Sequence, residues 1–165
     1  MTIDPKESVD VTFRSHTPYV HERIRAAAMY CSDGRVGQHF DEFLHQGLGL
    51  PRYDRIALPG GPACLAGHIK AHFNEQAVAD ELRFLVEAHG VTRVVLIAHQ
   101  NCAFYGSRLN IEADKMEAAQ KVDLAKAARF VYRLTGLTQV DCFFSRINDG
   151  HIDFELVPVD TIRPF

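Results

Sequence analysis

The chain has 165 residues, of which 47% are hydrophobic and 24% charged, enough for one domain with a substantial core. A formal net charge of −3 supplies no general attraction to nucleic acid or to an anionic membrane surface. No apolar run approaches the roughly 20 residues that span a bilayer, and the polar start from Met1 to His16 lacks the apolar centre of a secretion signal. The expectation is a cytoplasmic protein, with no nucleic-acid or membrane partner.

Residues 1–24 show no periodicity and read as an N-terminal arm carrying Phe13, Tyr19 and Val20, followed by a single domain over 25–165. Arg25 to Tyr30 predicts a first strand, uniformly small or apolar as a strand covered on both faces requires. Cys31-Ser32-Asp33-Gly34-Arg35 then forms a turn into a helix whose apolar face is Phe40, Phe43, Leu44 and Leu48, closed by Gly47, Gly49 and Pro51. Tyr53 to Leu58 is a second strand, running into the loop Pro59-Gly60-Gly61-Pro62. Asn74 is placed to cap a helix, with Glu75 in its first turn, an inward face of Val78, Leu82, Leu85 and Val86, and Gly90 as its stop. Val91 to Ala98 is a third buried strand, and 103–111 a loop or short helical turn. A helix begins by about Lys121, buries Leu124, Ala127, Ala128 and Val131, and stops at Gly136. A hairpin ends the chain: Gln139 to Ile147, the turn Asn148-Asp149-Gly150, and an alternating edge strand Ile152 to Leu156. The series predicts an α/β fold: a mainly parallel central sheet flanked by helices, with a C-terminal antiparallel edge hairpin.

Four cysteines in a reducing compartment, in a chain large enough to have a core, argue for metal binding or catalysis rather than disulfides. Cys142 lies in an apolar run and reads with Cys64 as a buried spectator. Cys31 lies just past the first strand and His99-Gln100-Asn101-Cys102 just past the third. In an open parallel sheet both clusters then face the crevice beyond the carboxyl ends of the strands. Two thiolates and an imidazole suit Zn²⁺, and three protein ligands with an open fourth position describe a catalytic site. Asp33 either fills that position as a fourth ligand or turns to Arg35 in a bidentate pair, leaving it to a water whose pKa falls to about 7. His68 and His72, four residues apart, lack a third ligand and are set aside with the remaining histidines.

Cys31-x-Asp33-x-Arg35 at one strand end and His99-x-x-Cys102 at another resemble the paired motifs of the β-class carbonic anhydrases. The resemblance spans roughly 25–157. It implies a zinc enzyme interconverting carbon dioxide and bicarbonate, with Cys31, His99 and Cys102 as ligands and Asp33–Arg35 as the dyad that keeps the fourth site open. It also implies a homodimer, often paired into a tetramer, with active sites at the subunit boundary. Where the family has Arg-Asn-Ala-Gly after the second strand, this chain has Leu58-Pro59-Gly60-Gly61. Where a glycine follows the second cysteine, it has Ala103, then Phe104 and Tyr105. Gly60, Gly61, Ala103, Phe104 and Tyr105 are accordingly the expected substrate-pocket residues. Two other readings stand beside hydration of carbon dioxide. One is a zinc protein on this scaffold that lacks hydratase activity or acts on carbonyl sulfide or carbon disulfide. The other is a metal-free hydrolase with Cys31 as nucleophile and His99 as base.

Overall fold

A computed structural model describes residues 11–159. The first ten residues of the expected arm and the last six of the chain lie outside them; 11–23 are exposed and carry no helix or strand. The strands are β1 (Ala26–Cys31), β2 (Asp54–Leu58), β3 (Arg93–His99), β4 (Gln139–Asn148) and β5 (His151–Leu156). They form one sheet in the order β2-β1-β3-β4-β5, parallel except for the antiparallel β4–β5 pair. This is the mainly parallel α/β sheet with an edge hairpin that the sequence predicts.

Side-chain alternation along buried strands builds two cores. Ala27, Met29 and Cys31 of β1, Val94, Leu96 and Ala98 of β3, and Cys142 and Phe144 of β4 face one side. There helices α2 (His72–His89) and α3 (Ala113–Thr135) bring Val78, Leu82, Leu85, Leu124, Ala127 and Val131 against them. Ala26, Ala28, Tyr30, Val95 and Ile97 face the other side, covered by Phe40 and Leu44 from α1 (Gly37–Glu42) and the π-turn Phe43–Gly47. With α1 following β1 on one face and α3 following β3 on the other, the chain leaves β1 and β3 in opposite directions. That divergence opens a crevice at their carboxyl ends.

Several boundaries differ from those read in the sequence. Cys31 and His99 are the last residues of β1 and β3 rather than the first beyond them. The segment after β2 is not all loop, because a buried 3₁₀ turn, Gly61–Leu65, begins within it. Asn74 does not cap α2: a 3₁₀ turn, Ile69–Ala71, hands over directly to a helix starting at His72, which places Asn74 in the first turn. Helix α3 starts at Ala113, well before Lys121. Its first turns escape the apolar pattern because the inward positions there include buried Gln120 and partly buried Met116 and Ala119. Gly90 and Gly136 do stop their helices, at φ 66° and 76°. The last turn is a two-residue one, Asp149-Gly150, both at positive φ, with Asn148 paired to His151 inside the ladder.

Candidate metal centre

Cys31 ends β1 and His99 ends β3, adjacent strands running in the same direction. The turn that follows β3 is tight, with Asn101 at φ 58°, a left-handed conformation that asparagine tolerates better than most residues. It folds Cys102 back so that its Sγ lies 3.9 Å from the Sγ of Cys31. The donor atoms of Cys31, His99 and Cys102 all lie within 4.8 Å of one another, and the three residues are buried at 7%, 3% and 2% exposure. The crevice therefore gathers the three residues expected to ligate.

The donor set is compatible with zinc. Two sulfurs held tetrahedrally at the usual Zn–S length of about 2.3 Å stand about 3.8 Å apart. His99 Nδ1 lies 2.9 Å from the Gln100 carbonyl oxygen, to which it donates, leaving the Nε2 lone pair free. Nε2 is fully buried and has no hydrogen-bond partner. A buried nitrogen with no partner is costly, and a metal ion beside two sulfurs satisfies it. Cys31 carries the more acidic thiol: the Cys102 S–H, the His99 ring and the amides of Gly60, at 3.4 Å, and Asp33 face its sulfur and together outweigh its burial, bringing it down to about 4. Cys102 moves up in response, because it retains the proton the pair shares and is buried. Cys64 and Cys142 behave differently. Burial pushes each up to about 12, leaving them inert thiols of the core.

Asp33 turns to Arg35. Its Oδ1 accepts from the Arg35 backbone amide and from Nε, both at 3.0 Å, and its Oδ2 accepts from Nη2 at 2.6 Å. These bonds hold the Asp33 carboxyl down to about 2. The side chain is anchored away from the three donors in the bidentate arrangement, one of the two the sequence allowed. Since its folded pKa lies below the unfolded value of 3.8, the pair stabilises the fold fully above about pH 4. The contribution is lost as pH falls through about 2. Carboxyl chemical shifts followed by NMR during acid titration should therefore report Asp33 protonating below the ordinary range of an aspartate.

The residues expected around the substrate separate. Gly60 adopts φ 81°, and a Cβ there would lie 2.5 Å from the Phe104 ring, so this ring is seated directly on the glycine. Arg108 covers the ring from 5.3 Å. Gly61, at φ 50°, lies against the β1 backbone, where a Cβ would meet the Tyr30 carbonyl carbon at 2.6 Å. Gly61→Ala should therefore destabilise the protein by about 1–3 kcal/mol, seen as a thermal midpoint lower by several degrees. Ala103 is exposed beside Cys102, whereas Tyr105 is buried and points away, to Asp123 on α3. The cavity that reaches the cluster is small, about 130 Å³, and its walls include Arg35, His99, Gln100, Asn101 and Ser145. A larger depression of about 540 Å³ between α2 and α3 touches none of the cluster residues.

Sequence reasoning missed three participants. The Gln100 carbonyl orients His99, and no side-chain pattern can announce a backbone oxygen. The Gly60 amide approaches Cys31, a role hidden behind its reading as pocket lining. Asp123 interrupts the buried stripe of α3, and a charge at that inward position was a visible signal.

Comparison with known proteins places these observations in a family. The family described as "Putative carbonic anhydrase" matches residues 21–144. An uncharacterized protein of Rickettsia conorii, RC0076, is 26% identical over 99 residues, covering 59% of this chain; the chain spans about half the length of that relative. Among solved structures, the β-carbonic anhydrase isoform I of Trichomonas vaginalis matches at a TM-score of 0.52 and 12% identity, covering 81% of this chain and 82% of that one. The β-carbonic anhydrase CafA of Aspergillus fumigatus matches at a TM-score of 0.43 and 16% identity, covering 79% and 74%.

Proposed function

The chain belongs to the family described as putative carbonic anhydrases, and from that premise we propose that it binds Zn²⁺ through Cys31, His99 and Cys102 and hydrates carbon dioxide to bicarbonate. The observation that carries the proposal is the buried His99, whose Nε2 has no hydrogen-bond partner and whose ring brings a nitrogen within 4.8 Å of the donor sulfurs of Cys31 and Cys102, while Asp33 is held by Arg35.

Bound zinc would supply a Lewis acid that lowers the pKa of a water to about 7 and so makes a nucleophile available at neutral pH. The chain's own residues do the rest. On binding the ion Cys31 and Cys102 would give up their protons and supply negative charge, and with the His99 ring they offer three fixed positions. The Gln100 carbonyl keeps the His99 ring in the tautomer whose Nε2 accepts. Arg35 holds both oxygens of Asp33 through its backbone amide, Nε and Nη2, so the carboxylate remains ionised. In this reading Asp33 also accepts a hydrogen bond from the attacking oxygen and orients it. Arg35 and the polar edge of Asn101 line the small cavity beside His99, whose size suits a linear triatomic molecule. Carbonyl sulfide and carbon disulfide share that shape and are the alternative substrates.

A zinc protein without hydratase activity is the second reading, and its support is Phe104, seated on Gly60 beside Cys31. The hydrolase reading loses ground to the position of Cys102, since a second thiol 3.9 Å from the first fits a shared ion better than a lone nucleophile. Stopped-flow measurement of carbon dioxide hydration by the zinc-loaded protein between pH 7 and 9 decides among them: turnover supports the proposal, and its absence at full zinc occupancy rejects it.

We also assign the protein to the cytoplasm as a homodimer or a pair of dimers. The four free cysteines suit a reducing compartment. No helix among the described residues is long and apolar enough to cross a membrane. Ile69 and Phe73, 93% and 85% exposed, are large apolar side chains that a subunit boundary would cover. Sedimentation analysis of the wild type and of Phe73→Ser would read this directly.

A further inference from the structure

Resting on the zinc reading above, we infer that Asp123 is a positioning residue of the metal centre, holding through Tyr105 and His68 the two segments that carry Cys102 and the amide facing Cys31. Asp123 is 3% exposed on an α3 face that it shares with Gln120, Leu124, Ala127, Ala128 and Val131. A carboxylate there is costly unless it is hydrogen-bonded or paired with a cation. Here one oxygen takes the hydrogen bonds and the other faces a lysine. Oδ2 accepts from the Tyr105 hydroxyl at 2.9 Å and from His68 Nε2 at 2.6 Å, and Oδ1 lies 3.6 Å from Lys126 Nζ.

Tyr105 and His68 come from separate segments, and each segment leads directly to the cluster. Tyr105 is the third residue after Cys102, and its backbone amide donates to the Cys102 carbonyl at 3.1 Å. The phenol thus ties the turn bearing one ligand down onto α3. His68 follows the buried 3₁₀ turn Gly61–Leu65, which starts immediately after Gly60, whose amide faces the Cys31 sulfur at 3.4 Å. The imidazole ties that turn to the same carboxylate oxygen. One buried acceptor therefore sets the separation between the Cys102 turn and the Gly60 loop, on the side of the sheet opposite α1. Core packing alone would be served better by an apolar residue at 123; a rigid link between two loops needs a polar one.

The experiment measures zinc affinity and cobalt spectra of wild type, Tyr105→Phe and Asp123→Asn, each checked for fold by circular dichroism. Zinc affinity is read by competition with a chromophoric chelator. The cobalt-substituted protein reports ligand geometry through its thiolate charge-transfer and ligand-field bands. The inference expects Tyr105→Phe to bind zinc about 10-fold more weakly and Asp123→Asn about 10- to 100-fold more weakly, the range for residues that orient metal ligands, with cobalt band intensities altered in both. Unchanged affinity, within about twofold, with wild-type cobalt spectra in a folded Tyr105→Phe variant overturns it, even if thermal stability drops. Tyr105→Phe removes one hydroxyl from a buried ring, so it decides the question should Asp123→Asn not fold. Wild-type protein that binds no zinc would overturn the zinc reading itself, an outcome distinct from any difference between the variants.

Discussion

Asp33→Asn should keep zinc and lose turnover. The substituted amide would retain one carbonyl oxygen for Arg35 but carry no charge, so the bidentate pair cannot be rebuilt. It would also present N–H donors where the proposed reaction needs an acceptor. Because Asp33 is engaged by Arg35 and is not one of the three gathered donors, metal content should remain near one zinc per chain. Hydration should fall by about 10- to 100-fold, the scale on which groups orienting a metal site act. Elemental analysis and stopped-flow hydration on the same preparation give both quantities. Loss of zinc in this variant would instead make Asp33 a ligand, and unchanged turnover would remove it from the reaction.

His99→Ala should have the larger effect on metal. Each of three ligands carries a substantial share of a binding free energy that runs to roughly 10–16 kcal/mol for zinc sites with a full ligand set. Losing one should weaken binding by at least about 100-fold and abolish hydration with it. The fold should survive. His99 is the terminal residue of β3, and the strand is held by its ladders to β1 and β4 and by Val94, Val95, Leu96 and Ile97 in the two cores. Chelator competition and thermal unfolding of the metal-free protein would separate the two effects. A variant that still takes up one zinc with wild-type affinity would show that the two cysteines bind elsewhere.

How much of this was legible in the residues varies with how local each feature is. β1 and β3 announced themselves because a doubly covered strand is apolar at every position, and Ala26 to Cys31 is buried throughout. The stops at Gly90 and Gly136 were legible because a left-handed residue is needed there, whatever the rest of the chain does. The beginnings of α2 and α3 were not. His72 follows directly on a 3₁₀ turn, so no capping side chain marks the start, and in α3 the buried Gln120 and Asp123 break the apolar period. Tyr105 was read as facing the substrate because it follows Cys102 so closely. Its direction was decided by Asp123, which a hydroxyl buried under α3 requires as an acceptor.

The chemistry of the donors belongs to the sequence by itself. Two thiols, an imidazole, a carboxylate and a guanidinium at strand ends are covalent facts, and the softness of the thiols and imidazole suits zinc wherever they meet. That they meet is a property of the tertiary structure. It depends on β1 and β3 being neighbours, on their helices departing to opposite faces, and on a turn at Asn101 that folds Cys102 back towards Cys31. The partner of Asp33 was likewise decided in space, since Arg35 was within reach in the chain but the alternative partner was a metal assembled from a distant strand. Non-local packing sets those separations to a few ångströms, and no local pattern of residues encodes them.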